Sequence, residues 1–187
     1  MKHTSIAICL VAASLSLAAC GGKSENKTET TADTTQTVAD DTPYADASQT
    51  MKNEFSAGNH RYEITIHREA DKQQPVVTDE LGKKFYDNRV DVTITCDGQD
   101  FFKKSYTKDA FDGFLTEADK HGSVLLGMAF DSEKTQKDKR IIYLGAQVGQ
   151  VGIEEGPAFS IEIPLDGSAS SIVRDTAQDN TGGDMTD

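Results

Sequence analysis

The chain has 187 residues, with 31 Asp and Glu against 19 Lys and Arg, for a formal net charge of −12. That balance argues against nucleic acid and anionic lipid headgroups as partners, since both are gripped by basic surfaces that neutralise phosphate. Three cysteines and no tryptophan leave little for a disulfide framework, but the length suffices for one hydrophobic core without staples.

The first residues fall into three zones. Lys2 and His3 give a basic start, Ile6 to Leu17 form a mainly apolar middle, and Ala18 and Ala19 precede Cys20. This is the layout of a secretory signal, to be excluded from fold reasoning. The apolar run is interrupted by Ser14 and Ser16 and falls short of the roughly 20 residues that a membrane span needs. Leu17-Ala18-Ala19-Cys20 resembles the box at which bacterial lipoproteins are acylated and cleaved. The resemblance implies that Cys20 begins the mature chain and carries acyl groups. Each buried methylene contributes about 0.8 kcal/mol, so two or three chains on one cysteine hold a protein at a membrane. The plainer alternatives are an ordinary cleaved signal, leaving Cys20 for a disulfide, or a cytosolic N-terminus. Residues 1–19 carry only one charged residue, Lys2, so cleavage would make the remainder slightly more acidic.

Residues 20–53 read as the lipidated cysteine followed by a disordered tether. Thr28, Thr30, Thr31, Thr34, Thr35 and Thr37 alternate with small polar residues, and Val38, Tyr44 and Met51 are nearly the only larger apolar side chains. Such a segment buries too little surface to offset its chain entropy.

Residues 54–175 read as one β-rich domain, with order expected from near Asn59. His60 to Arg68 alternates, with Tyr62, Ile64 and Ile66 on one face, as a half-buried strand requires. Pro75 to Thr78 suits a short edge strand, and Asp79 to Lys83 a turn. Arg89 to Cys96 alternates again, Asp97-Gly98 suits a two-residue turn, and Gln99 to Tyr106 returns. That turn predicts Asp91 opposite Lys104, although a three-residue turn would shift the register.

Thr107 is placed as the N-cap of an amphipathic helix with Phe111, Phe114, Leu115 and Ala118 in one stripe and Gly122 as its stop. It is expected to be the one substantial helix. Val124 to Phe130 and Ile141 to Ala146 are apolar on both faces and are expected as central strands, separated by a charged loop, Asp131 to Arg140. Phe159 to Ile163 and Ser171 to Arg174 complete the set, and residues 176–187 read as a disordered acidic tail. The fold class is therefore mainly β (α+β), an antiparallel β-sandwich or curled sheet of about six to eight strands with one helix.

No catalytic constellation is expected. Cys96 ends an apolar strand face beside Asp97, which discourages a thiolate, and is assigned to packing. His60 and His67 are an odd number apart on one strand, so they do not chelate a metal together, and no His-x-x-x-His or Cys-x-x-Cys pair is present. Neither a metal nor another cofactor is expected. Gly145 to Gly152 is glycine-rich but lacks nucleotide-loop spacing. Read on to Pro157, it is either a plain turn connection or an exposed recognition loop, for which Gln147, Gln150, Glu154 and Glu155 are the binding residues.

The run from Tyr62-Glu63-Ile64-Thr65-Ile66 through Asp91-Val92-Thr93-Ile94 to Gly156-Pro157-Ala158-Phe159-Ser160-Ile161-Glu162 resembles a lipoprotein family of Bacteroides-type bacteria, the domain of unknown function 4738. The resemblance covers roughly residues 55–175, implies an envelope lipoprotein that reaches the outer membrane, and carries over no activity or site residue. The expected function is a non-catalytic binding or interaction module, held to the membrane by its lipid and facing an unidentified protein or small ligand. The alternatives are an envelope hydrolase using acidic loop residues, or an assembly accessory.

Overall fold

The computed structural model describes residues 41–153 and 156–176. The signal segment, Cys20, most of the expected tether, Glu154, Glu155 and the tail from residue 177 lie outside the described residues.

In chain order the strands are β1 (Gln49–Ala57), β2 (His60–Ala70), β3 (Val77–Thr78), β4 (Lys84–Phe85), β5 (Asn88–Cys96) and β6 (Gln99–Tyr106). A 3₁₀ helix, Lys108–Phe114, and α1 (Glu117–Gly122) then lead to β7 (Val124–Phe130), α2 (Ser132–Asp138), β8 (Ile141–Gly149), β9 (Ala158–Pro164) and β10 (Ser171–Asp175). Two four-stranded sheets result, ordered β1-β2-β5-β6 and β7-β8-β9-β10, beside a two-stranded ribbon of β3 and β4. Every pair between these strands is antiparallel. The mainly β, antiparallel class stands as expected. The described residues hold ten strands, two of them only two residues long, and three helical segments, more than the six to eight strands and single helix anticipated.

One core joins both sheets. Ile64, Ile66, Val90 and Ile94 from the first meet Leu125, Ile142, Leu144, Val148 and Ile161 from the second, all fully buried. Burying each such side chain contributes about 1.5–3 kcal/mol. The alternation of β2 is realised as read, with Tyr62, Ile64 and Ile66 inward.

Five expectations are corrected. Order begins before residue 54: β1 starts at Gln49, inside the segment read as tether, and Tyr44 already bridges to Phe85. Met51 and Phe55 pack on the core, a period-two signal diluted by the polar residues between them. The hairpin turn has two residues, with Asp97 at φ 51° and Gly98 at φ 82°. Yet Lys104 faces Val92, and Asp91 faces Ser105, because a bulge between Ile94 and Thr95 shifts the register by one.

The helix expected from Thr107 is broken. Thr107 makes no side-chain cap, Gly113 weakens helix by about 1 kcal/mol relative to alanine, and Thr116 starts α1 with a reciprocal capping box to Asp119. Phe111 and Leu115 are buried, while Phe114 and Ala118 are exposed. Asp131 to Arg140 contains α2, capped by the Asp131 side chain on the Lys134 N–H and closed by left-handed Lys139. Finally, β8 is central but β7 is at a sheet edge. Its apolar residues Val124, Leu125 and Met128 are buried, and β2 and β5 meet its backbone, the Arg68 and Asn88 side chains donating to the Leu126 and Leu125 carbonyls.

Candidate functional site

The second sheet turns its inner face to the core, and α2 covers part of its outer face, burying Tyr143 and Ser160. Strand pairing sets Gly127, Gln147, Ala158 and Asp175 in one cross-strand row, and Ala129, Gly145 and Ser160 in the next. Apart from Gln147 and Asp175, the residues on these rows are Gly, Ala or Ser, with little or no side chain. A Cβ built on either Gly127 or Gly145 would meet nothing within 4 Å, so open space lies directly over the backbone. The result is a groove of about 740 Å³ whose floor includes Gly127, Ala129, Gly145 and Ala158.

Its two ends are built differently. At one end α2 sits on β8: Thr135 Oγ1 accepts the Tyr143 N–H at 3.0 Å, and Lys134 Nζ lies 4.8 Å from the centre of the Tyr143 ring. Lys134 also donates to Ser160 Oγ at 3.2 Å. Asp131, the α2 cap, reaches the groove from this side. At the other end stand the turn residues Val151 and Gly152 together with Asp46 and Arg68.

Arg68 is the most constrained of these groups. It leaves β2 near its end, donates Nη1 to the Leu126 carbonyl and meets Asp46 Oδ2 at 3.2 Å. Its Nε is buried without a hydrogen-bond partner among the described residues. Asp46 is held in turn by Asn88 Nδ2 at 3.2 Å. With Asp131 and Asp175 also lining the groove, its described lining carries three carboxylates to the one guanidinium, and the Lys134 ammonium stands beside it at the α2 end. This is a surface that favours positive charge in whatever lies on it.

A second, smaller hollow of about 380 Å³ lies across the turn, between Thr78–Leu81 and Gln150–Ile153. Leu81 is 93% exposed at its rim. Val151 and Gly152 line both hollows, so the turn from residue 150 forms the wall between them.

The predicted binding residues separate accordingly. Gln147 lies in β8, on the groove, and its Nε2 reaches the Gly156 carbonyl at 3.5 Å. Gln150 is exposed in the turn and lines the smaller hollow. Glu154 and Glu155 lie outside the described residues. The expected recognition loop is shorter than read, since β8 continues to Gly149. Arg68, Asp46 and Asp175 were missed, because Asp175 arrives by β9–β10 pairing and Arg68 and Asp46 by packing of distant parts of the chain on β7. The short residues at 127, 129 and 145, read only as parts of apolar strands, were the signal that could have marked the face.

Of the histidines, His60 sits beside Asp97 and His67 beside Thr50 and Glu69. Neither these nor His121 lines the groove.

The family described as Domain of unknown function (DUF4738) matches residues 26–150, and the chain belongs to it. No curated protein matches the chain in sequence.

Proposed function

We propose that the protein is a lipid-anchored, non-catalytic binding module of the bacterial envelope, and that the groove over β7, β8 and β9 is its ligand surface. The supporting observation is the groove's construction, a side-chain-poor floor under about 740 Å³ with three carboxylates and one guanidinium at its margins. Ligand sites commonly enclose about 300–1,000 Å³ and carry a few fixed polar groups on an otherwise apolar lining. A floor of Gly and Ala lets a flat or extended ligand approach the sheet closely, and the surrounding carboxylates favour a cationic one. The Leu17-Ala18-Ala19-Cys20 box supports the anchor, and outer-membrane placement rests on the resemblance to Bacteroides-type lipoproteins alone.

The hydrolase alternative gains less. Its acid and base would have to be drawn from Asp46, Asp131 and Asp175, of which Asp46 is paired with Arg68 and Asp131 is engaged as the α2 cap.

Gly145→Phe tests the groove, because its side chain would enter open space. Full-length protein and variant are immobilised, incubated with detergent-solubilised envelope extract, and the bound small molecules and peptides identified by mass spectrometry. A cationic species should be recovered at least about tenfold less on the variant, a loss of about 1.4 kcal/mol, with Tm unchanged. Equal recovery on both would refute the placement.

A further inference from the structure

We propose that His60, Cys96 and Asp97 form a binding site for a divalent transition metal of the zinc class, at the end of the first sheet away from the groove. The three residues supply one nitrogen, one sulfur and one oxygen, and these donor atoms all lie within 4.8 Å of one another. No local spacing announces the set. It is assembled by register, because Tyr62 pairs with Cys96 and so sets the start of β2 beside the β5–β6 turn.

Asp97 is the fixed member. Its N–H donates to the Arg61 carbonyl at 2.8 Å, and its Oδ1 accepts the Arg61 N–H at 2.9 Å. These two bonds hold the turn against β2 and commit one carboxylate oxygen. The other, Oδ2, faces His60 Nδ1 at 2.6 Å and lies 3.9 Å from Cys96 Sγ. Cys96 is half-buried, packed against the core edge, so its sulfur has few alternative positions.

The distances suit a small ion. Zinc bonds of about 2.0–2.3 Å in a tetrahedron set donor atoms about 3.3–3.7 Å apart. The His60–Asp97 pair, now at 2.6 Å, must open by about 0.7 Å, and the sulfur must close on Asp97 by a few tenths. With the set spanning up to 4.8 Å, the sulfur and His60 must close by up to about 1 Å, adjustments within reach of side-chain rotation. His60 and Asp97 side chains are 62% and 50% exposed, so they are free to make them. Binding would replace the proton now shared by nitrogen and oxygen, and would release the thiol proton, as metal ligation requires. The mixed nitrogen, sulfur and oxygen set favours zinc, cobalt, nickel or copper over calcium or magnesium. Three protein donors leave a fourth position toward solvent, for water or a donor atom from another molecule.

Cobalt(II) serves as the spectroscopic probe, titrated into reduced full-length chain. The expected result is one ion per chain, a near-ultraviolet thiolate-to-cobalt charge-transfer band, and loss of that band when zinc is added. Cys96→Ala should abolish the band, which separates Cys96 from Cys9 and Cys20 elsewhere in the chain. His60→Ala, at an exposed position that the fold does not need, should weaken cobalt binding at least about tenfold with Tm unchanged. Absence of the band in the parent chain, its persistence in Cys96→Ala, or unchanged affinity in His60→Ala would each overturn the site. None of these outcomes bears on the groove.

Discussion

The buried contact between Lys108 and Asp87 ties the 3₁₀ helix to the start of β7. Lys108 Nζ donates to the carbonyls of Lys120 at 2.7 Å and of Ser123, and lies 3.6 Å from Asp87 Oδ2. Asp87 Oδ1 accepts the N–H groups of Leu125 at 2.8 Å and Asn88 at 2.7 Å. Burial pushes the Asp87 carboxyl above its ordinary value, against the pull of those N–H groups and of Lys108. Folding thus raises this pKa, so the folded state holds a proton more readily than the unfolded chain. The penalty of burying the carboxylate is full above the folded pKa and fades as pH falls through it. Lys108→Met removes the counter-charge of Asp87 and the donor to two carbonyls, and should cost about 3 kcal/mol at neutral pH, as breaking a buried pair does. Urea unfolding at pH 7 and in mild acid checks this. The loss should shrink in acid, where Asp87 takes up a proton, and a loss equal at both pH values would contradict the account.

At the scale of elements, the turn after β8 is held by close backbone approach. Gly156 has φ 153°, and a Cβ there would lie 2.1 Å from the Val148 carbonyl oxygen. The Val148 N–H donates to Pro157 O at 3.1 Å beside it. Gly156→Ala must therefore move backbone against backbone, at a cost of about 1–3 kcal/mol. Hydrogen exchange should show the Val148 amide losing protection first, whereas an unchanged amide would mean that the turn does not depend on this contact. Such dependence was not readable from residue types, although much of the sheet was. β2 and β5 announce themselves because one face is buried and the other wet, which imposes period two on Tyr62, Ile64 and Ile66 and on Val90, Val92 and Ile94. α2 was hidden because a surface helix this short buries only Thr135, leaving no apolar stripe to detect. Of the groove, only Gln147 was singled out from sequence, and as part of a loop rather than of a sheet face. Arg68 and Asp46 became part of the groove only because the first sheet packs against β7, where Arg68 and Asn88 bond the Leu126 and Leu125 carbonyls and both hold Asp46, which no local pattern encodes.

For the whole molecule, the core is assembled from residues between β1 and β10, with Phe55 and Ile172 among the outermost members in sequence. Asp41, which meets Lys84 at 2.8 Å, and Tyr44 are already engaged with the domain. The stretch that would join an acylated Cys20 to the domain is therefore 21–40, not the longer run to residue 53. Covalent geometry limits those residues to a span of about 70 Å. On the proposed anchor, Cys20→Ala should lose metabolic palmitate labelling and leave the membrane fraction on carbonate washing, since no other segment is expected to supply acyl chains. Its domain should keep the parent Tm, because none of the core residues lies near position 20 in sequence. A Cys20→Ala protein still labelled and still sedimenting with membranes would remove the lipid anchor from the proposed function, while leaving the groove and the His60–Cys96–Asp97 site to their own tests.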